Sequence, residues 1–63
     1  MTDLSHYRTM DPAMLYSLIN TRLRNDYRDL HDLTRALGLE RGELEDHLAA
    51  HGFHYDAALR QLR

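Results

Sequence analysis

Apolar residues recur at helical spacing along most of this chain. Leu15, Leu18, Ile19 and Leu23 form a stripe on one face of a helix predicted from about Pro12 to Asn25. Asp11 suits its cap, and Pro12 suits the first helical position. Tyr27 lies one turn beyond Leu23 and can close the core on that side. On a helical wheel Arg22 falls near the stripe, within reach of Asp26 at i+4. Tyr16, Asn20 and Tyr27 flank the stripe on the other side, while Thr21, Arg24 and Arg28 face away.

The stretch from Asp29 to Gly52 predicts two more short helices joined by a tight turn. Leu30, Leu33 and Leu37 share one face, at i, i+3 and i+7. Asp29 can cap the first turn, and Asp32 approximates the reciprocal member of a capping box. Gly38 stands where a helix needs a left-handed residue to stop, and Leu39 can fold back on the last turn. Glu40 is a poor cap by type, yet Glu43 and Glu45 suit the positive end of the next helix. Leu44 and Leu48 form its stripe, and Gly52-Phe53 repeats the stop made by Gly38-Leu39. Two helices so closely joined predict helix-turn-helix-like topology, which occurs in many proteins that never touch DNA.

The two ends are less legible. Met1 to Met10 has no periodicity and is expected to be a flexible tail, with Tyr7 and Met10 able to pin onto the domain. Phe53, His54 and Tyr55 alternate as a half-buried strand would, but Ala57 to Leu62 is good helix sequence behind a capping Asp56. A β-hairpin and a short helix are equally supported there by the residues alone.

Sixty-three residues make one domain at most, and a core of that size supplies only about 3–5 kcal/mol without staples. The chain has no Cys, so disulfides and thiolate metal sites are excluded. No signal peptide is visible and no apolar run approaches the length of a membrane span, so a cytoplasmic protein without a membrane partner is expected. The net charge of −2 gives no overall attraction to nucleic acid or anionic membrane. All eight basic residues are Arg, a choice that suits bidentate contacts and that a GC-rich coding sequence would also produce.

The run DPAMLYSLINTRLRNDY, the leucine-rich helices after it and the GFHYD segment carry a resemblance. With Asp11-Pro12, Leu15, Ser17, Asn20-Thr21, Leu23-Arg24, Tyr27, Tyr55-Asp56 and Gln61, the chain from Asp11 onward resembles a family of short bacterial proteins described only as a domain of unknown function. The resemblance implies no activity. It implies a C-terminal hairpin, with a departure at Arg60 and Leu62, where the family usually has Asn and an aromatic residue. Asn tolerates left-handed turn geometry better than Arg, so an irregular hairpin or a helical turn is the expectation at Arg60.

Candidate chemistry is sparse. His47, His51 and His54 have a spacing that could hold Zn or Ni, but the Glu of a helical zinc-protease motif is missing, so no metal site is assigned and no cofactor is expected. Ser5 and Ser17 lack a nucleophile motif, and no catalytic residue is assigned. The third helix, which would lead into a DNA groove, offers Arg41 against Glu43, Glu45 and Asp46, a poor face for a polyanion. RNA contact through Arg22, Arg24 and Arg28 is the variant of that reading left open. Asn20-Thr21 is unusual inside a helix, which means either a polar contact to a neighbouring backbone or a working surface.

These readings converge on a mostly α domain over residues 11–63, three helices in helix-turn-helix-like order with a short C-terminal β-hairpin or turn. The expected core is Leu15, Leu18, Ile19, Leu23, Tyr27, Leu30, Leu33, Leu37, Leu39, Leu44, Leu48, Phe53, Tyr55 and Leu62. The expected function is a noncatalytic interaction module that binds a protein, or a second copy of itself, through Tyr16, Asn20, Arg24 and Tyr27 on the first helix. A nucleic-acid-binding regulator is the alternative.

Overall fold

The computed structural model describes residues 4–63. A 3-10 helix, Leu4–Thr9, precedes α1 (Pro12–Asn25), α2 (Leu30–Leu37) and α3 (Arg41–Ala50), and a two-stranded antiparallel hairpin closes the chain, β1 (Tyr55–Asp56) with β2 (Gln61–Leu62). Tyr55 pairs with Leu62 and Asp56 with Gln61. β2 lies along α1, and α2 packs on α3.

Local chemistry accounts for the helix ends. The Asp11 side chain accepts the Ala13 N–H at 2.8 Å, and Pro12 occupies the first turn, where its missing N–H costs nothing. Asp29 Oδ1 accepts the Asp32 N–H at 2.8 Å, while Asp32 Oδ2 reaches back to the Arg28 N–H at 3.2 Å, one residue before the cap. Glu40 does cap α3, its Oε1 taking the Gly42 N–H at 3.0 Å, although its type is unfavoured there.

Both glycine stops follow one geometry. Gly38 has φ 71°, the Leu39 N–H returns to the Thr34 carbonyl at 2.8 Å, and the Gly38 N–H to that of Arg35 at 3.3 Å. Gly52 has φ 86°, with Phe53 N–H on Leu48 and Gly52 N–H on Ala49, at 2.9 and 3.0 Å. This paired pattern satisfies carbonyls the helix end would leave orphaned.

The core holds Leu15, Ile19, Leu23, Leu30, Leu33, Leu44, Leu48 and Leu62, all expected, and Leu18, Tyr27, Leu39, Phe53 and Tyr55 pack half-buried against it. Leu37 is the correction: it is 39% exposed. Its angle on the wheel matches Leu30, but it lies two turns, about 10 Å, further along the axis. The chain reverses immediately afterwards, and Leu39 covers the core in its place. Thr34, buried at 2%, shares the inner face instead, its hydroxyl donating to the Leu30 and His31 carbonyls at 3.0 and 3.1 Å.

Residues 1–3 of the expected tail lie outside the described residues. From Leu4 onward the chain is built into the fold: Leu4 and Tyr7 are each 5% exposed and belong to the core. Arg8 joins Glu43 of α3 at 2.9 Å. Two apolar residues three apart in a segment interrupted by non-helical angles at His6 give too short a pattern to register as periodicity.

Between hairpin and short helix, the structure takes the hairpin. His54 and Arg63 exchange both backbone bonds, at 3.0 and 2.8 Å. Asp56 Oδ1 accepts the N–H groups of Ala58 and Leu59, folding the turn from within. Those bonds, that from Leu59 first, and the Arg63 guanidinium hold the Asp56 carboxyl below its ordinary pKa. Arg60 takes the left-handed conformation, φ 53°, that Asn would have tolerated more readily.

Candidate functional site

α1 presents the residues expected to form a working surface, and the fold gives each a definite place. Asn20 is half-buried, with its side-chain amide on the backbone of Leu62: Oδ1 accepts the Leu62 N–H at 2.7 Å, and Nδ2 donates to the Leu62 carbonyl at 3.2 Å. Its position in the middle of α1 is thereby explained by a structural partner. Tyr16 stacks on Phe53, centroids 4.7 Å apart and planes at 25°. Tyr27 packs half-buried against the core, just past the end of α1. Arg24 is exposed, and its guanidinium has no ion-pair partner among the described residues. Arg22, by contrast, is held by Asp26 at 3.2 Å, as its spacing predicts.

Tyr16, Asn20 and Arg24 line one open groove of ≈ 430 Å³ between α1 and the turn of the hairpin. Tyr27 is not among its lining residues. The hairpin contributes Leu59, Arg60 and Gln61, none of which the sequence marks as part of a site. The signal was obscured because residues 57–62 read equally well as helix, and only the hairpin brings them across α1. Leu59 is 54% exposed and forms the apolar part of the hairpin side. Along the α1 wall, the Thr21 hydroxyl donates to the Ser17 carbonyl at 2.9 Å.

Other clusters lie beyond this groove, the first of them sharing Arg60 with it. A second concavity, of ≈ 380 Å³, is lined by Arg28, Asp29, Arg41, Tyr55, Ala57 and Arg60. A third, of ≈ 270 Å³, runs between α3 and β1 and is acidic through Glu45 and Asp46. His47 and His51 stand edge to face at 5.0 Å, with Tyr7 at 5.3 Å from His47. Burial, then the proximity of His51 and Arg8, pushes the His47 pKa down, and its buried Nε2 has no hydrogen-bond partner among the described residues. His54 lies exposed at the start of the hairpin. Among the described residues no three His, Cys, Asp or Glu side chains gather as a metal site would require.

α3 carries more acid than base, with Arg41 against Glu43, Glu45 and Asp46. Arg41 Nε binds Glu45 at 3.1 Å and Glu43 holds Arg8, which leaves that helix no surplus of positive charge to meet a polyanion. No described helix is long and apolar enough to cross a membrane.

No curated protein and no solved structure matches this chain. The sequence model of one family does match, over residues 9–62 and thus nearly the whole length from α1 to β2: it is described as Domain of unknown function (DUF4250), and the chain belongs to that family.

Proposed function

We propose that this domain is a noncatalytic interaction module, and that it holds a protein partner in the groove between α1 and the hairpin turn. One observation carries the reading: an exposed Arg24, without an ion-pair partner among the described residues, shares a concave surface with the exposed Leu59, on walls locked together by Asn20 and Leu62. Arginine and aromatic residues dominate interface energetics, and Tyr16 is already immobilised by Phe53, so little of its freedom is lost on binding. The chemistry suits an acidic segment with an apolar side chain for Leu59. Nothing in the lining is set up as an acid–base pair: the Asn20 amide is committed to the backbone, and guanidiniums stay charged at any working pH.

The order of α2, turn and α3 would also allow a helix-turn-helix-like reader of nucleic acid, but the acidic α3 argues for the protein reading. Capture of partners from native cells separates the two. Arg24→Ala should fold as the parent does and lose the captured protein, while Glu45→Ala keeps it. Duplex DNA should bind no tighter than the non-specific range, roughly 10⁻⁴ to 10⁻⁶ M, at physiological salt. Sequence-selective nanomolar DNA binding lost on Arg41→Ala but not on Arg24→Ala would replace this reading with the regulator. A second copy of the chain as the captured protein would make the module self-associating.

A further inference from the structure

Three arginines that are distant in sequence meet on one face. Arg28 precedes α2, Arg41 opens α3 and Arg60 closes the hairpin turn, and together with Asp29, Tyr55 and Ala57 they line the second concavity. Each has some donor capacity left over. Arg41 is aimed by Glu45 at 3.1 Å and by the Tyr55 ring, 5.7 Å from its guanidinium carbon. Arg60 gives one Nη1 bond, at 3.3 Å, to the Arg28 carbonyl. The Arg28 guanidinium has no ion-pair partner among the described residues. The Tyr55 hydroxyl accepts the Leu30 N–H at 3.3 Å, which leaves its own proton free to donate.

Arg60 is the second observation. It is the one non-glycine residue with positive φ among those described. A left-handed Cβ-bearing residue is disfavoured, and an exposed side chain with a single long hydrogen bond gives little packing in return. Held positions of this kind concentrate at ligand sites. Here the left-handed backbone belongs to the third arginine of the concavity.

Three arginines line the concavity beside one acidic residue, Asp29, whose Oδ1 is already taken by the Asp32 N–H. Glu45 offsets part of Arg41, and a positive surplus remains. We propose that this concavity binds the phosphoryl group of a small phosphomonoester. Three separate forks and a phenol proton suit the three terminal oxygens and double charge of a monoester, whereas a carboxylate or a diester offers two such oxygens and one charge. A long nucleic acid fits less well, because the net charge is −2 and Glu43, Glu45 and Asp46 follow Arg41 along α3. The site shares Arg60 with the groove on α1 but uses neither Tyr16 nor Arg24, so Arg28, which lines this concavity alone, tests it separately from that groove.

Titration of the full chain with methyl phosphate, dimethyl phosphate and acetate, followed through amide and arginine side-chain NMR signals, tests this. Methyl phosphate should give saturable shifts centred on Arg28, Tyr55 and Ala57, stronger above its second pKa of about 6. Dimethyl phosphate and acetate should bind at least about tenfold more weakly. Arg28→Gln and Arg60→Gly should each weaken methyl phosphate binding about tenfold or more, and Arg35→Gln should not. Arg60→Gly relieves the left-handed backbone, so its melting temperature should not fall, which separates lost binding from lost folding. Equal binding of the three probes, the absence of saturable shifts, shifts spread over all arginines, or parental binding by Arg60→Gly would each overturn the assignment.

Discussion

The side chain of Asn20 acts toward Leu62 as a neighbouring β-strand would. In an antiparallel pair, alternate residues turn their N–H and C=O away from the partner strand. His54 and Arg63 exchange both bonds, so Leu62, next in line, points its backbone groups outward. Asn20 meets them with an acceptor at 2.7 Å and a donor at 3.2 Å, across 42 residues of sequence. Only an amide offers both at this spacing on one short side chain. That explains an Asn in the middle of a helix, where its propensity is poor.

Asn20→Ala should therefore destabilise the fold by about 1–3 kcal/mol, because two part-buried backbone groups lose their partner. Asn20→Asp should fall between variant and parent, since a carboxylate accepts from the Leu62 N–H but cannot donate to its carbonyl. Urea unfolding measures both. A parental midpoint for Asn20→Ala would mean that the hairpin does not depend on α1.

The leucines of α2 and α3 should separate sharply. Leu33 and Leu48 are 0% and 2% exposed, and Leu37 is 39% exposed. Leu33→Ala and Leu48→Ala should each cost about 2–5 kcal/mol, most of what so small a core provides. Leu37→Ala should stay within about 0.5 kcal/mol of the parent. Thermal melts of the three variants check the order, and a large loss at Leu37 would contradict its exposure.

His47 should make the fold sensitive to acid. Burial, His51 and Arg8 depress its pKa below the ordinary 6.5. Above that value the imidazole is neutral in both folded and unfolded chains and adds no slope. As pH falls through it, the unfolded chain takes up a proton that the folded chain resists, so stability drops until the lower, folded pKa is passed. The rings of Tyr7 and His51 and the charge of Arg8 face it, so the N-terminal segment should loosen first. His47→Phe should flatten the change in melting temperature between about pH 7.5 and about pH 5.5. An unchanged slope in that variant would assign the acid sensitivity elsewhere.

The groove was half legible. Tyr16, Asn20 and Arg24 stand out because their types are out of place, or surplus, on an otherwise regular amphipathic helix. Leu59, Arg60 and Gln61 do not, because their part in the groove depends on a turn that places them against α1. The rim of Arg28, Arg41 and Arg60 carries no local signature at all: its members come from three elements and meet only after folding.

What the chain encodes locally, it encodes legibly. Asp11-Pro12, Gly38-Leu39 and Gly52-Phe53 bound the helices through contacts within a few residues, and the periodicity of the leucines names most of the core. Only the tertiary structure decides the two ends. Leu4 and Tyr7 become core by packing into the helical cluster, Tyr7 edge-on to His47 of α3, and Ala57 to Leu62 give up their helical propensity to the turn and β2. The physical reason is a difference in strength. A few residues of propensity amount to tenths of a kcal/mol each, while burying Leu62 and satisfying its backbone with Asn20 is worth several times as much.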